Sequence, residues 1–203
     1  MRPTHHRIPL TIALAGVLAL TVAGCANGNA DEPNTTTTSS SSSSTPSGNW
    51  DEDHAKQQAE KAVERLNKHN VNKPLDENQD AEWASPQYVQ AYNKELKDLH
   101  DKQVTKKGNT NSTSVHLKNL DPQATGGPDL TIINCSVSTV RLIGPDGKDV
   151  TGDIETGEPL PKKPVKAAHL MSLTTTDKGE TWQISGSQIL RGESAKETPC
   201  ELS

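Results

Sequence analysis

The chain of 203 residues has no Phe, only 3 Trp and 2 Tyr, and only 3 Cys. Apolar residues make up 31% of it and aromatics 2%, well under the share of an average globular protein. A core drawn from so little apolar material is thin, and a covalent cross-link is the natural support for it. Long apolar runs are scarce as well. The one stretch, Ile8 through Leu20, falls short of the roughly 20 residues that a stable membrane span needs, which excludes a polytopic membrane protein. Positive charge is in the minority, with 21 Lys and Arg against 26 Asp and Glu and a net charge of −5. Two of the cations, Arg2 and Arg7, stand ahead of the apolar run, so the rest of the chain is more acidic still, and a basic nucleic-acid binder is excluded. The sequence also lacks a Gly-x-Ser-x-Gly stretch, a phosphate-binding glycine loop, a Cys-x-x-Cys pair and histidines at metal-ligand spacing. No cofactor or metal is therefore expected, and no reaction is identified.

Residues 1–24 have the anatomy of an export signal: Arg2 and Arg7, then the apolar run, then small residues. The run ends in Val22-Ala23-Gly24-Cys25, which resembles the lipobox of bacterial lipoproteins. Small residues there fit the signal peptidase, and the thiol of Cys25 forms the thioether to diacylglycerol. The resemblance implies cleavage before Cys25 and a lipid anchor on the outer face of the cell membrane, stable because it carries two or three acyl chains. Residues 25–49 are mostly Gly, Asn, Thr and Ser, with an unbroken hydroxyl run from Thr35 to Thr45, and cannot form a core. They are expected to be a disordered tether with a reach of roughly 25–30 Å, a segment that also suits O-linked sugars. Residues 50–203 are the only part long enough for a domain, and one domain is expected.

Within it, Asp51 to Lys68 predicts a helix, since Ala55, Ala59, Ala62, Val63 and Leu66 recur at helical spacing. Pro74 to Ala84 predicts a loop with a short helical turn. Ser85-Pro86 opens a second helix that runs to about Lys102, with a hydroxyl at the N-cap and Pro at the first helical position. Beyond Gly108 the period changes to that of strands: Val115 to Asn119, a long strand from Leu130 to Ile143, a return from Lys148 to Thr151, Pro164 to about Thr175, and Glu180 to Leu190. Pro145-Asp146-Gly147 and Asp177-Lys178-Gly179 mark turns between them. Helices followed by strands predict an α+β fold, with two or three N-terminal helices on an antiparallel sheet of four or more strands.

With Cys25 assigned to lipid, Cys135 and Cys200 remain in an oxidising setting, and a disulfide between them is expected. A metal site and a reactive thiol are the alternatives; neither has a Cys-x-x-Cys spacing or an adjacent His to support it.

This order of features resembles the nuclear transport factor 2-like superfamily, in particular the small exported lipoproteins of actinobacteria with that fold. The resemblance spans about residues 51–200. It is carried by Ser85-Pro86-Gln87-Tyr88-Val89-Gln90-Ala91-Tyr92, by Cys135 followed by Gly144-Pro145-Asp146-Gly147-Lys148, by the hairpin from Leu170-Met171-Ser172-Leu173 to Gly179-Glu180-Thr181-Trp182-Gln183-Ile184, and by Cys200. Many such lipoproteins have an Asp two residues after the strand Cys, where this chain has Val137. The resemblance implies a cone in which helices close over a strongly curved antiparallel sheet and leave a pocket at the open end.

Superfamily enzymes acting on steroids or polyketides use a carboxylate base with an acidic partner such as Tyr, which singles out Tyr88 and Tyr92. Both also fall on the apolar helix face, where the plain reading is a core residue. His116 and His169 lie on predicted strands, where a base can face a pocket, and the plain reading is a surface or hydrogen-bonded core His. Trp182 joins them as a candidate pocket wall. His54, His69 and His100 stand among polar residues and are read as solvated. Two functions follow. The first is a tethered module that binds a small apolar ligand or an envelope protein; the second is a tethered isomerase or cyclase using a pocket His and a carboxylate. Polar residues alternating on the strands, such as Thr131, Ser136, Ser138 and Thr174, predict a wet outer face and a monomer or weak dimer.

Overall fold

The computed structural model describes residues 47–153 and 156–202, all within the unit Ser44–Ser203. The expected leader, Cys25 and the tether as far as Pro46 lie outside the described residues. Among the described residues nine elements follow in order: α1 (Glu52–Lys68), α2 (Pro86–Asp101), β1 (Thr105–Lys107), β2 (Thr110–Asp121), β3 (Asp129–Ser138), β4 (Arg141–Ile143), β5 (Val165–Thr174), β6 (Gln183–Ile189) and α3 (Gly192–Lys196). The α+β class is as expected. Two of the three helices precede the strands, while the third is a short C-terminal one that the sequence reading did not assign.

Both long helices begin where their caps place them. Asp51 accepts the His54 N–H at 2.8 Å, with Glu52 and Asp53 in the positive first turn of α1 and Arg65 and Lys68 in its last. Ser85 accepts the Tyr88 N–H at 3.2 Å with Pro86 at the first helical position of α2. Ala55, Ala59, Ala62 and Val63 are the buried residues of α1. Three alanines in four contact positions let this helix lie close on the sheet.

Four strands form one antiparallel sheet in the order β2-β3-β5-β6, and β1 pairs with β4 in a second. The expected continuous strand Leu130–Ile143 is thus two strands. The register explains the break. Lys107 faces Arg141 and Thr110 faces Ser138, so no residue is inserted on either side, and the two ladders are one hairpin bent at Gly108-Asn109 and Thr139-Val140. Gly108 has φ +97°, and a Cβ there would lie 2.4 Å from the Thr139 carbonyl oxygen. Only glycine permits this approach. The Thr139 N–H donates to the Asn109 carbonyl at 2.9 Å and closes the bend.

Alternation along the strands separates two faces. The inner face, under the helices, buries Leu130, Ile132, Met171, Leu173 and Ile184 with the alanines of α1. Trp182 is 1% exposed within this core, edge-on to Trp50 with ring centroids 6.4 Å apart. The outer face carries a smaller cluster of Ile133, Cys135 and Ala168, covered by Leu190, Cys200 and Leu202. There the expected disulfide joins Cys135 to Cys200, with 5.3 Å between the Cα atoms. The start of α2 is fastened to β6, since the Ile184 N–H donates to the Trp83 carbonyl (2.7 Å) and the Ser85 N–H to the Ile184 carbonyl (3.0 Å).

Candidate functional site

Toward the C-terminal end of α1, the helices and the inner sheet face leave a cavity of about 550 Å³, within the range of small-molecule sites. Leu66, Val71, Met171 and Ile189 give it apolar walls, and Asn134, His169, Tyr88, Tyr92, Glu95 and Lys106 supply its principal polar groups.

Asn134 and His169 face one another across the β3–β5 ladder, so both side chains leave the same face within contact range. Asn134 is 5% exposed. Its amide lies 2.7 Å from the Ser112 hydroxyl, which in turn lies 3.0 Å from the Asn67 amide, so the three side chains form one hydrogen-bonded row. Among the described residues neither the other end of the Asn134 amide, nor the His169 ring, nor the Tyr88 hydroxyl has a hydrogen-bond partner. Burial pushes the His169 pKa below the ordinary histidine value, so the ring is neutral at neutral pH. Burial, followed by the nearby charges of Tyr92 and Glu95, raises the Tyr88 phenol well above its usual range. Tyr92 is pushed up to about 12, again chiefly by burial. Both phenols are therefore protonated donors.

The mouth is built from paired contacts. Lys106 Nζ meets Glu95 at 2.8 Å and lies 5.8 Å from the Tyr92 ring centre. Asn72 bonds both the N–H (2.8 Å) and the carbonyl (2.7 Å) of Lys106, and Asn93 does the same for Leu75 at 2.8 and 2.9 Å. Each amide side chain here substitutes for a strand partner and ties the loop after α1 to its neighbours. His69, read from sequence as solvated, is half-buried: its Nε2 lies 2.9 Å from the Lys73 carbonyl and its ring stands edge-on to Tyr92.

The cavity thus brings together His169, Tyr88 and Tyr92 of the candidate pocket residues. His116 and Trp182 are elsewhere. His116 faces Ile133 in the β2–β3 ladder and so lies on the outer face, 2.9 Å from the Ser114 hydroxyl, beside a smaller cavity of about 310 Å³ at the disulfide. One residue of difference in strand parity separates its face from that of Val115. Trp182 is taken up by the core. Sequence reasoning missed Asn134, Lys106 and Glu95. Asn134 had a signal: it shares the parity of Leu130 and Ile132 in an otherwise apolar run, and a polar residue at a core position needs a partner or a purpose.

Among the described residues no group of three or more His, Cys, Asp or Glu is placed to hold a metal ion, and no helix is long and apolar enough to cross a membrane. Fold and site define an α+β protein with two helices over one face of an antiparallel sheet and a ligand-sized cavity between the layers. No protein-family model and no curated protein matches the chain.

Proposed function

We propose that this is a membrane-tethered cell-envelope lipoprotein whose domain acts as a ligand-binding module. The apolar run ending in Val22-Ala23-Gly24-Cys25 supports acylation of Cys25 and a position on the outer face of the cell membrane. The bent hairpin under two helices supports the cone of the nuclear transport factor 2-like proteins as the finer description of the fold.

The observation that carries the binding reading is the set of three recessed polar groups, the outer end of the Asn134 amide, the His169 ring and the Tyr88 hydroxyl, without hydrogen-bond partners among the described residues in a cavity of about 550 Å³ with apolar walls. These groups open onto the cavity rather than being sealed in the core, where water or an occupant can meet them. Their recession favours a small molecule over a protein surface. The isomerase alternative calls for a carboxylate base beside the His. Glu95 is the carboxylate among the cavity residues, and it is ion-paired to Lys106 with 66% of its side chain exposed, an arrangement that suits a rim better than a base.

Native mass spectrometry of the protein extracted from the membrane of a Gram-positive host tests both halves. The expected result is a chain beginning at diacylglyceryl-Cys25 that carries a small non-covalent passenger, the passenger being absent from Ala91→Trp. Ala91 is an exposed wall residue of the cavity, so the indole fills the mouth without disturbing the core. An unmodified Cys25 overturns the tether, and a passenger that survives Ala91→Trp overturns the site.

A further inference from the structure

The row of side chains beneath the cavity sets which end of Asn134 meets an occupant. Backbone groups orient Asn67: its amide nitrogen donates to the Thr110 carbonyl at 3.3 Å, and its oxygen accepts the Ser112 N–H at 3.1 Å. The same oxygen accepts the Ser112 hydroxyl at 3.0 Å. Having given its one proton to Asn67, the Ser112 hydroxyl can only accept from the Asn134 amide, 2.7 Å away. The Asn134 nitrogen is thereby turned back to Ser112 and its carbonyl oxygen forward to the cavity. Opposite Asn134 in the β3–β5 ladder stands His169, whose neutral ring has one N–H and one bare nitrogen. An acceptor and a donor therefore lie side by side on the floor. Charge is missing there. Among the described residues the ionic groups lining the cavity are Glu95 and Lys106, which neutralise each other at the rim at 2.8 Å. Burial keeps His169 neutral and Tyr88 protonated, the behaviour of a floor that disfavours any ion.

We infer that the cavity takes an uncharged amphiphile headed by a hydroxyl, which donates to the Asn134 oxygen and accepts from the His169 N–H while the hydrocarbon lies against Leu66, Val71, Met171 and Ile189. This rests on the ligand-binding reading above and adds the chemical class. A hydroxyl has both a proton to give and lone pairs to receive one, so it serves both groups at once. A ketone or ester carbonyl satisfies His169 and leaves the Asn134 oxygen facing another lone pair. An ionised carboxylate has the same fault and also brings a charge that no cation on the floor meets, and burying an unpaired charge is costly. An ammonium head can donate to Asn134, but it too is an unpaired charge, with the Glu95 carboxylate held at the rim by Lys106.

Calorimetric titration of the full-length protein in lipid nanodiscs with octanol, methyl hexyl ketone and octanoate at neutral pH tests this, with empty nanodiscs as the blank. Octanol is expected to bind one equivalent at least about tenfold more tightly than the ketone or octanoate, and Ala91→Trp should remove that binding. Asn134→Leu, which deletes the acceptor at similar size, should bring octanol and the ketone to within about threefold of each other. Circular dichroism checks that the variant folds, and if it does not, the order of the three probes on the native sequence decides. Octanoate binding as tightly as octanol, or the ketone binding as tightly as octanol, overturns the hydroxyl inference and leaves the binding reading intact. A tenfold preference for octanol that survives Asn134→Leu does the same. Absence of any probe binding sensitive to Ala91→Trp overturns both.

Discussion

Asn134 shows how one side chain converts core into site. With Leu or Ile in its place the inner face from Leu130 through Ile132 would continue as unbroken hydrocarbon; the amide instead pairs with Ser112 behind it and presents its other polar atom in front. Tyr88 has a similar double character, since its ring packs against the core while its hydroxyl reaches the cavity wall. Its raised pKa makes a prediction about alkaline stability. An unfolded tyrosine ionises near pH 10, whereas the buried one holds its proton to higher pH. Its contribution is therefore fully present below about pH 10 and is lost as pH rises beyond it, because the unfolded chain then releases a proton that the native state retains. In urea titrations at a series of pH values, the stability of Tyr88→Phe relative to the native sequence should be constant up to about pH 9.5 and shift in favour of Phe above about pH 10. A flat difference across that range would contradict the buried, protonated phenol. Residue types were legible in advance here, because an apolar-face Tyr and a strand His can be read from periodicity. Their convergence was not, since it depends on which strand pairs with which.

At the scale of elements, the helices were the most legible part. Their caps, Asp51 and Ser85-Pro86, are local chemistry, and a helix closes its hydrogen bonds within its own sequence. The strands were legible as strands and illegible in detail. Thr139-Val140-Arg141 looks like strand from end to end, and the feature that interrupts it, Gly108, lies about thirty residues earlier on the partner strand. Gly108→Ala should destabilise the domain by about 1–3 kcal/mol, since the new Cβ combines a positive φ with a clash at the Thr139 carbonyl. Urea unfolding followed by tryptophan fluorescence measures this. A change within a few tenths of a kcal/mol would show that the bend does not need glycine. The same substitution at Gly147, also at positive φ but with open space around its Cβ position, separates the cost of the backbone conformation from that of the close approach.

For the whole molecule, the governing fact is the shortage of apolar side chains. The inner cluster is built from alanines on α1 and a handful of large residues on the sheet, and part of the space between the layers is cavity. The outer cluster is smaller again and is held by the cross-link between Cys135 and Cys200, which are 65 residues apart. In the chain-entropy model closing a loop of that length contributes roughly 4 kcal/mol, a large share of a typical domain's stability. Reduction, or the double substitution of Cys135 and Cys200 by Ser, should lower the unfolding free energy by about that amount. It should also free the segment after α3 to limited proteolysis while the helices remain folded. Unchanged stability on reduction would mean that the packing of Leu190 and Leu202 holds the tail unaided.

By itself the sequence determined everything that depends on neighbours along the chain or on composition. Among these are the α+β class, the helix starts, the turn at Asp177-Lys178-Gly179, and the need for a staple with only two cysteines left to form it. It also carried the signal-like leader and the hydroxyl-rich run on which the tethering proposal rests. Tertiary structure alone decided which face each strand residue took. Strand parity depends on pairing register, and a shift of one position sends a side chain to the opposite side of the sheet. That is why His169 reached the cavity while His116 came to lie beside the disulfide, and why Asn134, Lys106 and Glu95, distant in sequence, became neighbours in one site.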